Sequence, residues 1–380
     1  MKRFLFIGHE ATRSGAPFVL LHLLRWIKKH RPECELDLLL LAGGELEPEY
    51  RKVANVQLLK PPKPRNIVAK KILGIRSRFD DELRLGVSGL PLFQNKYDVV
   101  IGNTAVTLRH LRLFKRRGFT TAGWMHELDG ALESLGLAAE FSDLAQFVDR
   151  FIVGSNAVGD MLRRRGISTQ VDRIYEFSPP LSEATFDPAA IRAEIGLSAG
   201  TFVIGACGTI EYRKGTDLFV RLADRLRSHT DFHFIWVGRS NGEQDPLFAE
   251  VAEMIERLQL GDRLTILKAA GSSERYLAAI DLFVLTSRED PFPLVCLDAA
   301  NLGKPVICFA GAGGMAEFVG NDAGAVVPFG NVDDMAASIE RFYLDPYARK
   351  RAGDVAKHKA QTDFSAELSC SKLFAVLSGL

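Results

Sequence analysis

Short unbroken apolar runs alternate with stretches whose apolar residues recur at helical spacing, and the alternation repeats along most of the chain. Phe4–Ile7, Leu36–Leu41, Val99–Gly102, Thr121–Trp124 and Phe151–Gly154 have the length and composition of strands buried on both faces. After the first of them, Leu20, Leu21, Leu24 and Ile27 fall on one side of a helix over Phe18–His30. Its last turn holds Lys28, Lys29 and His30, cations suited to the negative end of the helix dipole. The alternation stops at Phe177-Ser178-Pro179-Pro180 and does not resume before Asp187-Pro188. That proline-rich, aperiodic stretch reads as a linker. Beyond it come strands at Phe202–Ala206, His233–Val237, Leu264–Leu267, Leu282–Leu285 and Val306–Phe309. The intervening pattern predicts helices over Asp217–Arg227, Leu247–Leu258, Glu274–Ala279 and Leu294–Ala300, with 332–343 and 346–380 also helical.

Strand–helix alternation of this kind implies parallel sheets covered on both faces. The pattern therefore predicts an α/β protein of two Rossmann-like, doubly wound domains: residues 1–180, a linker over 181–200, a second domain over 201–360, and a final helix over 361–380. Residues 60–96 fit poorly. Lys60-Pro61-Pro62-Lys63-Pro64-Arg65 reads as extended. Lys70, Lys71, Arg76 and Arg78 then mix with Ile67, Val68, Ile72, Leu73 and Ile75, a basic amphipathic insertion that suits either a solvated helix face or a membrane-facing element.

Length and composition agree with two cores: 380 residues, 47% hydrophobic and 25% charged. Net charge is +1, but residues 1–180 hold 28 Lys and Arg against 20 Asp and Glu, and residues 181–380 hold 20 against 27. The basic half suits an anionic membrane, a phosphate-bearing acceptor or nucleic acid, of which nucleic acid is the one not expected as a partner. Cys34, Cys207, Cys296, Cys308 and Cys370 are odd in number and lack metal-site spacing, which fits a reducing compartment. The apolar run at the start is too short for a signal peptide, and no stretch approaches the roughly 18 apolar residues of a spanning helix. The expectation is a cytoplasmic protein that at most rests on the inner face of the membrane.

Ligands of open α/β sheets bind beyond the C-terminal strand ends, so chemistry is sought in the loops there. Gly208-Thr209-Ile210-Glu211-Tyr212-Arg213-Lys214-Gly215 sets two cations just before a helix start, an arrangement suited to a diphosphate. It is not a P-loop, because the GKS/GKT spacing is missing. Thr286-Ser287-Arg288-Glu289-Asp290-Pro291-Phe292-Pro293 leads into a helix that carries Asp298, with Pro293 expected in its first turn. Asp290 and Asp298 suit hydroxyls at the two ends of a ligand. Ala310-Gly311-Ala312-Gly313-Gly314-Met315-Ala316-Glu317 permits close amide contacts. In the first half, Gly15 opens the first helix, and His126 and Glu127 follow a strand, facing an expected cleft between the domains.

These pieces resemble one family. Gly208-Thr209…Arg213-Lys214-Gly215, the run Thr286–Ala300, Gly303-Lys304-Pro305-Val306-Ile307 and Gly313-Gly314-Met315-Ala316-Glu317 are similar in order and spacing to retaining GT-B glycosyltransferases of the family-four kind. The resemblance implies a GT-B fold with an interdomain cleft and transfer of a sugar from a nucleotide-sugar donor to a glycan or lipid-linked acceptor, in cell-surface polysaccharide synthesis. It implies that Arg213 and Lys214 neutralise the departing diphosphate, that Asp290 lies near the donor sugar and that Asp298 holds the ribose. Helix-end amides over Phe292, Pro293, Leu294 and Val295 would cradle phosphate. His126 would lie near sugar and acceptor, and Gly15 near the diphosphate. Phe364–Leu377 looks like the family's helix that packs back on the first domain. No cofactor or metal is expected, because two side chains supply the positive charge. Both motif acids are Asp where the family has Glu, so each reaches one methylene less; Glu289 is the rival to Asp290 for the first role, and the intervals to Phe292 and Asp298 favour Asp290. Lys214→Ala is expected to lower transfer and leave the fold intact.

The other readings are a GT-B nucleotide-sugar epimerase, a phosphorylase, and a nucleotide-sugar-binding protein without turnover. A dinucleotide dehydrogenase is disfavoured by the absence of GxGxxG after the first strand.

Overall fold

A computed structural model describes residues 2–59, 94–181, 186–238, 246–268 and 273–380. The chain forms two compact units, Met1–Tyr175 with Ser369–Leu380, and Glu176–Leu368. The basic amphipathic segment expected over 60–96 lies almost wholly outside the described residues.

The first unit is built on a seven-stranded sheet: β1 (Arg3–Gly8), β2 (Glu35–Leu40), β3 (Asn55–Leu58), β4 (Val99–Asn103), β5 (Thr121–Met125), β6 (Arg150–Val153) and β7 (Val171–Arg173). Their spatial order is β3-β2-β1-β4-β5-β6-β7. Every pairing is parallel, with Phe6 opposite Leu38 on one side and Ile101 on the other. All but the first residue of β1 and of β2 are buried, which is why they read as apolar runs, broken in β2 only by Asp37, which pairs with Arg3 at 2.9 Å. The core over one face gathers Leu5, Ile7, Val100, Leu111, Phe114, Phe141, Phe151 and Met161.

The second unit holds β8 (Phe202–Cys207), β9 (Phe232–Val237), β10 (Leu264–Leu267), β11 (Leu282–Leu285), β12 (Val306–Phe309) and β13 (Gly324–Val327). The order is β10-β9-β8-β11-β12-β13, again parallel throughout. Two doubly wound parallel sheets are what the pattern predicted.

Two boundaries differ from the expectation. The supposed linker over 181–200 contains a helix, Pro188–Glu194, within the second unit. Asp187 caps it by accepting from the amides of Ala189 and Ala190, and Pro188 occupies its first turn. Arg192 pins it, donating to the Ala279 carbonyl at 2.8 Å and pairing with Asp281 at 2.8 Å. The stretch 346–380 is two helices, Pro346–Gln361 and Ala366–Ser378. Between them Phe364 turns inward against Phe292 and Phe318. The second helix delivers Phe374 to the first unit, where its ring centroid lies 6.1 Å from that of Phe4 and 6.0 Å from that of Trp26.

Candidate functional site

In the second sheet the winding reverses between β8 and β11, and the C-terminal ends of strands at such a reversal are where open α/β sheets bind ligands. The loop after β8 tightens into a turn over Tyr212–Lys214 and ends at Gly215, whose φ is 69°. A Cβ on Gly215 would stand 2.0 Å from the Thr286 carbonyl oxygen, so only glycine lets this loop touch the one after β11. The two are stitched together: the Arg288 amide donates to the Arg213 carbonyl at 2.7 Å, and the Thr286 hydroxyl donates to that of Lys214 at 3.2 Å. The Arg288 guanidinium completes the clamp. It binds both oxygens of Asp217 at 2.7 Å, donates to the Tyr212 carbonyl at 2.8 Å and stacks 3.8 Å from the Tyr212 ring centroid. Burial pushes the Asp217 carboxyl up, but the hydrogen bonds and charge of Arg288 outweigh it and hold Asp217 below the usual carboxylate range.

The cations converge on one acid. Lys214 Nζ lies 2.5 Å from Asp290 Oδ2, with the two side chains 16% and 7% exposed. Ser287 Oγ donates to the same oxygen at 3.3 Å. Arg213 pairs with Glu211 at 2.7 Å, donates to the Glu289 carbonyl at 2.9 Å and comes within 4.0 Å of Asp290. The carboxylate on Lys214 is thus that of Asp290, while its neighbour Glu289 supplies a carbonyl to Arg213.

The glycine loop after β12 works differently from the expectation of open amides. Gly313 pairs with Asp290 in a parallel bridge. The Asp290 amide donates to Ala312 at 2.7 Å and the Gly314 amide to Pro291 at 3.0 Å. A Cβ on Gly313, where φ is 148°, would lie 1.7 Å from the Asp290 carbonyl oxygen. These glycines let the backbone behind Asp290 be gripped, and the Gly314 amide faces protein. Gly208 is engaged likewise: its amide donates to Val237 at 2.9 Å and its carbonyl accepts from the Trp236 indole at 2.9 Å. Thr209 follows it into the loop, partly exposed.

Pro293 precedes the helix Leu294–Asn301 in an extended conformation rather than occupying its first turn. The Phe292 ring is 5% exposed and stacks on Phe364 with centroids 5.8 Å apart, so it belongs to the core. Leu294 and Val295, partly exposed, begin the helix. Further along it, Asp298 accepts a short hydrogen bond from the Ser178 hydroxyl. Burial pushes the Asp298 carboxyl up to about 7; the Ser178 hydrogen bond opposes the rise and the charge of Glu274 adds to it. Buried Cys207, at the end of β8, feels both Asp298 and Lys214, which places the two groups around one strand end.

The first sheet has its own reversal between β1 and β4. Asn103 ends β4, fully buried. Its Nδ2 donates to the Ala16 carbonyl at 3.0 Å, and its Oδ1 meets His126 Nε2 at 2.7 Å. Thr104 follows at φ 97°, a conformation that costs a threonine roughly 1–3 kcal/mol. It is held by its amide to Trp124 at 2.9 Å and by the Thr107 hydroxyl on its carbonyl at 2.7 Å. Glu127, 7% exposed, accepts from the amides of Ala105 at 3.1 Å and His126 at 3.0 Å. His9, after β1, approaches the Thr104 hydroxyl at 3.4 Å and Glu10 at 3.5 Å; burial lowers its pKa against the pull of Glu10. Gly15 is exposed in the first turn of the helix Gly15–His30.

Sequence reasoning passed over Ser178, Arg288, Asn103 and Thr104 as functional residues. Ser178 sat in apparent linker. Asn103 directly follows the apolar run of β4, at a strand end like those of β8 and β11, and that position was the available signal. Among the described residues no cluster of three or more His, Cys, Asp or Glu could hold a metal ion, and no helix is long and apolar enough to cross a membrane.

Residues 187–359 match the family model described as glycosyl transferases group 1. The chain is similar to lipopolysaccharide core biosynthesis mannosyltransferase LpcC of Rhizobium leguminosarum bv. viciae, with 27% identity over 52% of this chain and 57% of that protein. It is also similar to mannosyltransferase LpsB of Rhizobium meliloti (strain 1021), named for the same pathway, with 26% identity over 73% of this chain and 76% of that one. The match to LpcC thus spans little more than half of that relative's length. Among solved structures, Anabaena HepE in complex with UDP and glucose superposes over 100% of both chains with a TM-score of 0.81 at 19% identity, a likeness of fold.

Proposed function

We propose, from the match of residues 187–359 to glycosyl transferases group 1, that this chain is a retaining glycosyltransferase acting from a nucleotide-sugar donor. The observation behind this reading is the pair of cations, Arg213 and Lys214, fixed against the single buried carboxylate of Asp290 at the winding reversal of the second sheet. Breaking a sugar–phosphate bond builds negative charge on the departing diphosphate and positive charge on the sugar ring. Cations already held in place stabilise the first without having to reorganise. In this reading the diphosphate takes a share of the hydrogen bonds that Lys214 and Arg213 now give to Asp290 and Glu211, and no metal is needed. Asp290 lies beside the donor sugar, Asp298 receives the ribose hydroxyls, and backbone over Phe292–Val295 meets phosphate. His126 serves the sugar and acceptor side, and Gly15 the diphosphate. Retention follows from attack on the face the diphosphate leaves, with the leaving phosphate taking the acceptor proton.

The similarity to lipopolysaccharide core mannosyltransferases supports an acceptor among cell-surface glycans or their lipid-linked precursors. HepE, a protein of the same fold, binds UDP, which supports a nucleoside diphosphate at the second unit. Eight Lys and Arg against three Asp and Glu over 60–93 supply much of the positive charge of the first half, and we assign that segment to contact with anionic membrane or a lipid-linked acceptor from the cytoplasmic side. Incubation with radiolabelled nucleotide sugars tests the reading. Transfer, or slow release of nucleoside diphosphate, supports it; isomerised donor indicates an epimerase, and binding without turnover an inert binding protein. Thermal shifts with UDP-, GDP-, ADP- and dTDP-sugars identify the donor.

A further inference from the structure

The proton on the His126 ring is fixed by its surroundings. Asn103 offers two groups from one amide, and the structure determines which points where. The nitrogen donates to the Ala16 carbonyl, which accepts only, at 3.0 Å. Turning the amide over would press Oδ1 against that carbonyl oxygen inside a residue with no exposed surface. Oδ1 therefore faces His126 Nε2 at 2.7 Å and can only accept, so Nε2 must carry the hydrogen.

We propose that Asn103 is a positioning residue that holds His126 with its hydrogen on Nε2, so that any base action of the ring is confined to Nδ1. The inference deepens the reading of His126 given above and rests on it for its consequence, not for its geometry. Three further features keep Asn103 in place. The Thr104 amide is tied to Trp124, the residue opposite Asn103 in the β4–β5 register. The Trp124 ring packs 4.9 Å from that of His126. Next to Asn103, the chain accepts the rare backbone conformation of Thr104 to turn out of the sheet. Charged and titratable groups near the pair include His9, Glu10 and Glu127, and Glu127 receives the His126 amide.

The full-length protein labelled with nitrogen-15 histidine reports the tautomer directly, with His126 assigned by comparison with His126→Gln. A single Nε2–H tautomer with a slowly exchanging proton is expected near neutral pH. An Nδ1–H form, or a rapidly exchanging mixture, overturns the proposal. In Asn103→Asp the new carboxylate stabilises the imidazolium, and His126 should titrate about one unit or more higher than in the parent; an unmoved titration overturns the proposal as well. Should that variant not fold, the parent spectrum decides alone. None of these readouts needs turnover. A protein with the expected spectrum and no transfer would refute the proposed function and leave the Asn103–His126 lock standing.

Discussion

A lysine and an aspartate that are both mostly buried cannot be treated as independent parts. Removing one partner of such a pair leaves the other charged and unsolvated, at a cost of about 3–5 kcal/mol. The Asp290 contact adds a cost in stability to the loss of transfer expected of Lys214→Ala. We expect Lys214→Ala to lose both transfer and roughly 3 kcal/mol of stability, whereas Lys214→Met with Asp290→Asn recovers most of the stability and none of the transfer. Denaturant titration and a transfer assay on the same three proteins check this. Asp298 carries a second prediction. Its folded pKa of about 7 lies above the ordinary 3.8, so the native state holds a proton that the unfolded chain releases. The associated stability is present below the ordinary value and is lost as pH rises towards about 7. Melting temperatures across that range should fall more steeply for the parent than for Asp298→Asn; parallel curves would show that Asp298 does not titrate there.

At the scale of elements, the glycines differ in what they do. Gly313 sits 1.7 Å, measured from where a Cβ would stand, from the Asp290 carbonyl, while Gly311 at φ 73° has nothing within 4 Å. Gly311→Ala should cost about 1 kcal/mol through backbone strain alone. Gly313→Ala should cost more than about 2 kcal/mol and weaken nucleotide binding, because it pushes the loop off Asp290; melting and nucleotide titration separate the two. The same scale explains what could be read without a structure. Strands buried on both faces appear as apolar runs, and ten of the thirteen among the described residues are legible that way. The three that were missed, β3, β7 and β13, are all sheet edges. Asn55–Leu58, Val171–Arg173 and Gly324–Val327 are short and partly exposed, so half their pattern is polar or glycine. The cationic loops were legible because their chemistry is local in sequence. The partners that hold them were not: Ser178 lies 120 residues from Asp298, and Arg288 lies 71 from Asp217. Spacing along a chain carries no information about such pairs.

At the scale of the molecule, the charge imbalance and the crossing helix set the remaining expectations. Reversing the basic residues between Lys60 and Arg78 should weaken flotation with anionic vesicles and leave nucleotide binding in the second unit unchanged; flotation indifferent to the reversal removes the membrane assignment. Phe374 joins Phe4, Trp26 and Arg31 across the first unit. Phe374→Ala should cost that unit about 2 kcal/mol and raise hydrogen exchange in β1 and in Gly15–His30, with β8 and β11 unaffected.

That crossing helix also fixes an order of events during synthesis. The ribosome makes Phe4 and Trp26 early, but the strip of protein that covers them, residues 369–380, emerges only after every strand of the second sheet. The first unit must wait, part of its apolar surface open to solvent, while the unit translated later has all its own residues in hand. Nascent chains stalled before Ser369 should then engage holding chaperones through the Phe4–Trp26 surface, and release them once the final turns of helix are supplied.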